Sequence, residues 1–282
     1  MVGLLVGLGA AVIGPQLLDG DDGDAAGDPT GELRRTIGDD DVVDSPEDLL
    51  DPDLPVPPGA GAVSAEAALT GFLDAEVAGD LEASYGYLSA ADRQRYGSPA
   101  GWIASHADVV PPVLGYELGP VGEEADATAI TTTLQLQPGL DQVVGLTPAE
   151  ALVTWVVTPD PDGAWGVSLD ASTTEPVYPP DDGAAPAASR WLDARRACEE
   201  PTNERTGLVG AVALAETLCG TAGEPATGPA EPLPEAAGAT IATAFGEEAA
   251  AAARLVRVDG AVELGVVLAP VGDEWLVIGV VP

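Results

Sequence analysis

The side chains that could perform acid–base or nucleophilic chemistry are few in this chain of 282 residues. The single histidine, His106, lies in the segment WIASHADVV between Ser105 and Asp108. A Ser–His–Asp triad is defined by geometry in space, and adjacency along the chain does not create it. The sequence therefore favours a structural histidine at the surface or at the edge of a core, and it assigns no catalytic residue.

The two cysteines, Cys198 and Cys219, form the next candidate pair. An even pair this close in the sequence of an exported chain predicts a disulfide, with two buried free thiols as the alternative. In the chain-entropy model such a cross-link stabilises the fold by about 3 kcal/mol. The spacing is not C-x-x-C, so redox catalysis is not expected.

Metal and phosphate chemistry are both disfavoured by the composition. One histidine and two cysteines cannot complete a tetrahedral zinc site without carboxylates. A phosphate-binding loop of the Walker type needs a lysine, and all ten basic residues are arginines. We predict neither a metal nor another cofactor.

The charge balance is strongly acidic, with 47 Asp and Glu against 10 Arg and a formal net charge of -37. Such a field repels phosphate backbones, so no nucleic-acid partner is predicted. The favoured interpretation is adaptation to saline surroundings. The alternative is that the acidic surface binds cations or a basic partner.

Composition divides the chain into an apolar segment (residues 1–18), an acidic Pro/Gly-rich linker (19–62), a first domain (63–175) and a second domain (184–282). Residues 2–18 carry no charge and are just long enough to span a bilayer. We predict an uncleaved membrane anchor, with a cleaved signal peptide or a buried helix as alternatives. Like charges and prolines extend a chain. The linker would hold the folded part outside the cytoplasm, and secretion is the alternative location.

Hydrophobic periodicity predicts helices before strands in both domains, which is the α+β class. In the first domain, helices are expected at 65–81, at 81–88 and after Ser89, and strands at 128–136, 151–158 and 165–169. In the second domain, helices are expected at 186–197 and 207–218, and strands at 254–258, 262–268 and 275–281.

A weak internal repeat links the two domains. The segments FLDAEVA (72–78) and WLDARRA (191–197) share an aromatic-Leu-Asp-Ala-x-x-Ala pattern. Each domain then ends in an apolar strand around a tryptophan, Trp165 in the first and Trp275 in the second. Similar beginnings, ends and lengths predict a tandem duplication.

The first domain resembles the NTF2-like superfamily of cone-shaped α+β domains, in the divergent form of actinobacterial membrane-anchored proteins. The resemblance rests on the opening helix AALTGFLDAEVAGDLEASYGYLS, the following LSAADRQRY and the W-x-V strand at Trp165. It covers residues 64–172 and, more faintly, 184–282, where a Pro/Gly-rich stretch at 220–234 departs from the pattern. It implies N-terminal helices packed on a curved antiparallel sheet in each domain.

Isomerases and hydrolases of this family place carboxylates and a tyrosine inside the cone. In this chain the resemblance implies Tyr85, Tyr87 and Asp74 as ligand-pocket candidates, with Trp102 as a wall. The structural interpretation of the same residues is that both tyrosines cap the apolar core and that Asp74 lies on the solvent side of its helix.

We expect a non-catalytic, membrane-tethered binding or scaffold protein of the cell envelope. Its ligand or partner would be a small apolar molecule or another envelope protein. The alternative is an NTF2-like isomerase or hydrolase with its site in the cone of the first domain. Several convergent polar groups in a pocket would favour the enzyme, whereas a filled or shallow cone would favour binding or a scaffold.

Overall fold

The computed structural model describes residues 59–107, 110–124, 126–205, 217–221, 226–260 and 263–281. The predicted anchor at residues 1–18 lies outside the described residues, as do the linker up to residue 58 and most of the predicted helix at 207–218. Within the described ranges, no helix combines the length and the hydropathy needed to cross a membrane.

The first domain places four helices before a four-stranded antiparallel sheet, which confirms the α+β class. The helices are α1 (Ala65–Ala78), α2 (Leu81–Gly86), α3 (Ala90–Tyr96) and α4 (Pro99–His106). The strands that follow are β1 (Val113–Glu124), β2 (Ala127–Leu136), β3 (Gly139–Asp141), β4 (Gly145–Thr147), β5 (Glu150–Pro159) and β6 (Trp165–Val177). The main sheet has the order β1-β2-β5-β6, and β3 and β4 form a separate hairpin.

Polar side chains fix where these helices begin. Ser64, Asp80, Ser89 and Ser98 each accept a hydrogen bond from the backbone N–H three residues further on. Such caps satisfy backbone donors that have no partner inside the helix. Four short helices can therefore follow one another within about forty residues of chain, as the sequence predicts in part.

The helices cover one face of the first sheet. Ile130 and Leu134 on β2 and Val153 and Trp155 on β5 point into this core and are at most 2% exposed. The alternate residues on the other face remain at least partly exposed, as at Leu152, which is 41% exposed. This alternation is the period-two pattern of a strand buried on one side.

The second domain contains α5 (Ala184–Arg196), β7 (Ala226–Pro232), α6 (Glu235–Ala252), β8 (Arg254–Asp259), β9 (Leu264–Val271) and β10 (Glu274–Val281). Its antiparallel sheet has the order β7-β8-β9-β10. Helices therefore do not all precede strands here, and that prediction was wrong. Strand β7 lies within the Pro/Gly-rich stretch and was therefore not predicted. It tolerates Pro229 and Pro232 because it is an edge strand, in which not every backbone N–H has to donate to a neighbouring strand.

Both faces of the second sheet are covered. Trp191 and Leu192 of α5 pack on one face, and Ile241 and Phe245 of α6 pack on the other. Strand β9 is consequently buried from Leu264 through Pro270. A strand covered on both sides has no polar face, which explains its continuous apolar sequence.

The hairpin of β3 and β4 joins the two domains. Leu140 and Leu146 are each 1% exposed and belong to the same apolar cluster as Ile241 and Phe245 of α6. Gly145 has a φ of +84°, and a Cβ placed there would lie 2.8 Å from the carbonyl oxygen of Phe245. Only glycine suits this close approach. The first domain thus supplies part of the core of the second.

The predicted disulfide between Cys198 and Cys219 is confirmed, with 4.7 Å between the Cα atoms. It links the end of α5 to the segment 217–221. The backbone N–H of Gly220 also donates to the carbonyl oxygen of Arg196 at 3.0 Å. Both contacts connect the end of α5 to residues 219 and 220.

Candidate functional site

The candidate site is a cleft in the first domain, between helices α1, α3 and α4 and the inner face of the sheet. Its cavity volume is about 50 Å³. Pockets that enclose small-molecule ligands occupy about 300–1,000 Å³. The cleft therefore holds a small group or a few water molecules and does not enclose a whole substrate. It is lined by Phe72, Leu73, Glu76, Arg95, Tyr96, Trp102, Ser105, His106, Val110, Val113, Leu134, Trp155, Leu169 and Asp170.

Aromatic rings are concentrated in this cleft. The chain has five Trp, five Tyr and two Phe, and four of these twelve line it. Phe72 meets Trp155 edge-on, with 5.5 Å between ring centroids, and Tyr96 meets Trp102 at 4.8 Å. Such contacts fix the orientation of rings as well as burying apolar area. In a chain this poor in aromatics, the cleft is an unusual local environment.

A carboxylate and the only histidine meet within it. Nε2 of His106 donates a hydrogen bond to Oε2 of Glu76 at 2.9 Å, and the two side chains are 11% and 6% exposed. The imidazole lies beside the indole of Trp102, with 4.1 Å between centroids. The other carboxylate oxygen of Glu76, Oε1, is buried and has no hydrogen-bond partner among the described residues. A buried carboxylate oxygen without a partner would gain stability from a hydrogen-bond donor.

A second ion pair lies nearer to solvent. The guanidinium of Arg95 contacts Oδ1 of Asp170 at 2.5 Å, and these side chains are 34% and 66% exposed. The Cζ atom of Arg95 also lies 5.8 Å from the ring centroid of Tyr96. Burial raises the pKa of the Tyr96 phenol above its ordinary value. The cleft thus contains the ion pair of Arg95 and Asp170 near solvent and the more deeply buried carboxylate of Glu76.

Of the four pocket candidates predicted from the sequence, Trp102 lines the cleft. Its Nε1 donates to Oγ of Ser84 at 2.9 Å, which anchors the indole. Tyr85 is buried elsewhere, where its hydroxyl donates to the carbonyl oxygen of Arg93 at 2.9 Å. Burial, opposed by the nearby Arg93, raises the pKa of the Tyr85 phenol.

Tyr87 and Asp74 lie at two further places. A Cβ at position 71 would lie 2.3 Å from Cζ of Tyr87, so Gly71 makes room for this ring against α1. Asp74 is on the solvent side of α1 and accepts a hydrogen bond from the hydroxyl of Tyr116 at 2.7 Å. Burial and then the carboxylate of Asp74 raise the pKa of Tyr116 to about 12. The structure does not gather the four candidates into one site.

Glu76 was not among the residues predicted from the sequence. It follows Phe72 by four positions, and residues at that spacing share one face of a helix. A charged residue on the apolar face of α1 was the available signal. His106 was considered and interpreted as structural, and its partner could not be recognised because thirty residues separate the two.

A buried polar network beneath the cleft positions α3. Nη2 of Arg93 contacts Oδ2 of Asp160 at 2.8 Å, and each side chain is 4% exposed. The other Nη donates to the carbonyl oxygen of Leu88. Asp92 accepts from Oγ of Ser89 at 2.6 Å and from the N–H of Leu169 at 3.1 Å. Burial raises the pKa of the Asp92 carboxyl, although these hydrogen bonds oppose the rise. The network is structural, since neither Arg93 nor Asp92 lines the cleft.

The described part of the chain contains no group of three or more His, Cys, Asp or Glu arranged to hold a metal ion. Comparisons with protein-family models, with curated proteins and with solved structures give no match to this chain. The cleft, the disulfide and the organisation of the chain are therefore the features that bear on its function.

Proposed function

We propose that the protein is a non-catalytic binding or scaffold protein of the cell envelope, tethered to the membrane by residues 2–18, with its folded part outside the cytoplasm. The observation that carries the non-catalytic part is the filled interior of the first domain. Phe72, Trp102 and Trp155 occupy the space between helices and sheet and leave a cavity of about 50 Å³. That volume is well below the range of about 300–1,000 Å³ typical of pockets that enclose small-molecule ligands, which supports the non-catalytic proposal.

The location outside the cytoplasm is supported by the bond between Cys198 and Cys219. Disulfides persist in oxidising compartments and are rare in the cytosol of mesophiles. The uncharged segment at residues 2–18 and the acidic linker after it supply the tether in this proposal. The NTF2-like relationship is also part of it, supported in the first domain by helices that precede a four-stranded antiparallel sheet and cover one of its faces.

An isomerase or hydrolase is the second candidate, favoured by one specific observation. Glu76 and His106 form a buried carboxylate–imidazole pair beside the cleft. Such a pair can orient an imidazole as a general base. The candidate lacks a nucleophile held by that imidazole among the described residues, because the hydroxyl of Ser105 donates to the carbonyl oxygen of Trp102 at 2.9 Å.

The full-length chain in its native envelope tests the proposal. Membrane fractionation should recover the protein with the membrane, and protease added to intact spheroplasts should digest its folded part. A photo-crosslinker at Ile103, an exposed residue of the cleft-forming helix α4, should trap an envelope component. Recovery of the protein in the cytosol with reduced cysteines would contradict the proposed location.

Turnover assays separate the two candidates. Purified full-length protein would be incubated with activated esters, epoxides and enolisable ketones, alongside Glu76→Gln and His106→Gln. The proposal predicts rates equal to buffer for all three proteins. A rate that the wild type shows and both variants lose would establish the enzyme and overturn the non-catalytic proposal.

A further inference from the structure

We propose that the cleft of the first domain binds a protonated primary amine, whose ammonium N–H groups bond to Oε1 of Glu76 while its carbon chain lies between the aromatic rings. This inference rests on the binding role proposed above and names the ligand class. Three features of the cleft support this assignment: the buried acceptor, the aromatic walls and the charge of the lining.

The buried acceptor requires a donor. Glu76 lines the cleft with a side chain that is 94% buried, since 6% is exposed. Oε2 is occupied by His106, whereas Oε1 has no hydrogen-bond partner among the described residues. Leaving a charged oxygen buried without a donor is costly. A ligand that presents N–H groups would remove that cost and would gain a charge-assisted bond.

The aromatic walls favour a cation over a neutral donor. Tyr96, Trp102 and Trp155 line the same cleft as Glu76. The faces of such rings attract ammonium groups electrostatically, and indole does so best. The guanidinium of Arg95 already lies over Tyr96. The imidazole of His106 already lies against the indole of Trp102, with 4.1 Å between centroids, so the indole of Trp155 is the remaining large ring system of the wall.

The charge of the lining has the matching sign. Arg95 and Asp170 neutralise one another through their ion pair, which leaves Glu76 as the remaining carboxylate of the lining. An anionic ligand would meet this carboxylate at close range, whereas a cation compensates it. The net charge of -37 raises the local concentration of cations around the whole chain as well.

The size of the cavity selects a small head group. About 50 Å³ accommodates an ammonium and one or two methylene groups, and the remainder of an amine would extend out of the open side. A quaternary ammonium carries the same charge but has no N–H to give to Oε1. The structure therefore assigns the site to primary amines, either free or as the end of a longer envelope molecule.

The inference is tested by titrating the full-length protein in detergent with propylammonium chloride at constant ionic strength. Binding is measured by the change in tryptophan fluorescence. We expect saturable binding, at least tenfold weaker in Glu76→Gln and unchanged in Glu66→Gln. The control removes the same charge from an exposed position of the same helix. 1-Propanol and tetramethylammonium should each bind at least tenfold more weakly than propylammonium.

Equal affinity of Glu76→Gln and wild type would overturn the inference, and so would equal affinity for propanol or tetramethylammonium. A second measurement needs no variant. Because the chain has one histidine, the ring protons of His106 give uniquely identifiable NMR signals. Nuclear Overhauser contacts from propylammonium methylene protons to that ring are expected, and their absence at saturation would place the amine elsewhere.

The outcomes for ligand class and for function remain distinguishable. If the cross-linker at Ile103 captures an envelope component while propylammonium fails to bind, the amine assignment is wrong and the binding role stands. If instead the turnover assays detect a reaction that depends on Glu76 and His106, the binding role itself is replaced.

Discussion

The two domains contain the same kind of sheet and bury it differently. Each sheet is an antiparallel meander of four strands in chain order. In the first domain the hairpin of β3 and β4 interrupts the meander between its second and third strands, and in the second domain α6 interrupts it between the first and second strands. These two interruptions pack against each other. The second sheet thereby gains a cover on its other face, whereas the first keeps an exposed face.

This difference shows that the hydrophobic pattern of a strand depends on how many faces of its sheet are buried and not on the order of the strands. Strand β2 alternates between the buried Ile130, Thr132 and Leu134 and partly exposed residues. Strand β9, in an equivalent meander, is apolar at every buried position from Leu264 to Pro270. A period of two in the strand sequence therefore indicates that one face of the sheet is exposed to solvent. Loss of that period predicts that a second layer of structure covers the other face.

The largest expected effect on stability comes from breaking the buried ion pair between Arg93 and Asp160 in the first domain. Asp160→Ala should lower the free energy of unfolding by about 3–5 kcal/mol, because Arg93 would remain buried without its counter-charge. Asp170→Ala removes an ion pair of the same type at the surface and should cost less than about 1 kcal/mol. Urea denaturation of the full chain measures both. Equal losses for the two variants would refute the assigned importance of burial.

Leu146→Ala tests whether the hairpin belongs energetically to the second domain. We expect a loss of about 2–5 kcal/mol, as for other buried leucines. Hydrogen exchange should accelerate in α6 and β9, although the substitution lies in the first domain. Leu152→Ala, on the exposed face of the first sheet, is the control and should change stability by less than about 1 kcal/mol. Acceleration confined to β2 and β5 would show that the domains are not coupled.

Removing the disulfide should weaken the second domain alone. Replacing Cys198 and Cys219 together by serine should cost about 3 kcal/mol, because the unfolded chain regains the freedom of a loop of 21 residues. Thermal unfolding of the double variant, compared with that of the wild type under oxidising conditions, gives the difference. The denaturation of the first domain should be unaltered, and a parallel loss there would contradict this division of roles.

The smallest effect concerns the contact between α1 and the edge strand β1. The pKa of Tyr116 is raised to about 12 by burial and by Asp74, so the phenol stays protonated in the folded state. Stability from this group is complete below about pH 10 and is lost as pH rises toward 12. Asp74→Asn should lower the pKa of Tyr116, which ultraviolet absorbance titration of the phenolates detects. An unchanged titration would show that Asp74 has no influence.

The parts of the fold that could be predicted from the sequence are those with a clear hydrophobic period. The repeated aromatic-Leu-Asp pattern lies in α1 and α5, where Phe72 and Trp191 are buried and Asp74 and Asp193 face solvent. Strand β1 was not predicted, because VLGYELGPVGEE contains three glycines and a proline and has low strand propensity. Its pairing with β2 is a contact between distant residues, which strand propensity does not report.

The candidate site was less accessible to sequence reasoning than the fold. Tyr85 and Tyr87 have the residue type expected of a pocket, yet their hydroxyl and ring positions are decided by Arg93 and by the space at Gly71. Glu76 and His106 come from different helices, and they meet because α4 packs on α2, which in turn packs on α1. Contacts of this kind depend on tertiary geometry, for which one sequence has no periodic signal.

The leucines of the hairpin impose an order on biosynthesis. Leu146 leaves the ribosome 95 residues before Ile241, the difference between their positions in the chain. At a translation rate of about 5–20 residues per second, roughly 5 to 19 s pass between the synthesis of Leu146 and that of Ile241. Until α6 has been made, Leu140 and Leu146 have no partner helix, and a chain terminated before α6 would leave both leucines without it. In a chain exported as proposed above, the contact between the hairpin and α6 would form only after export.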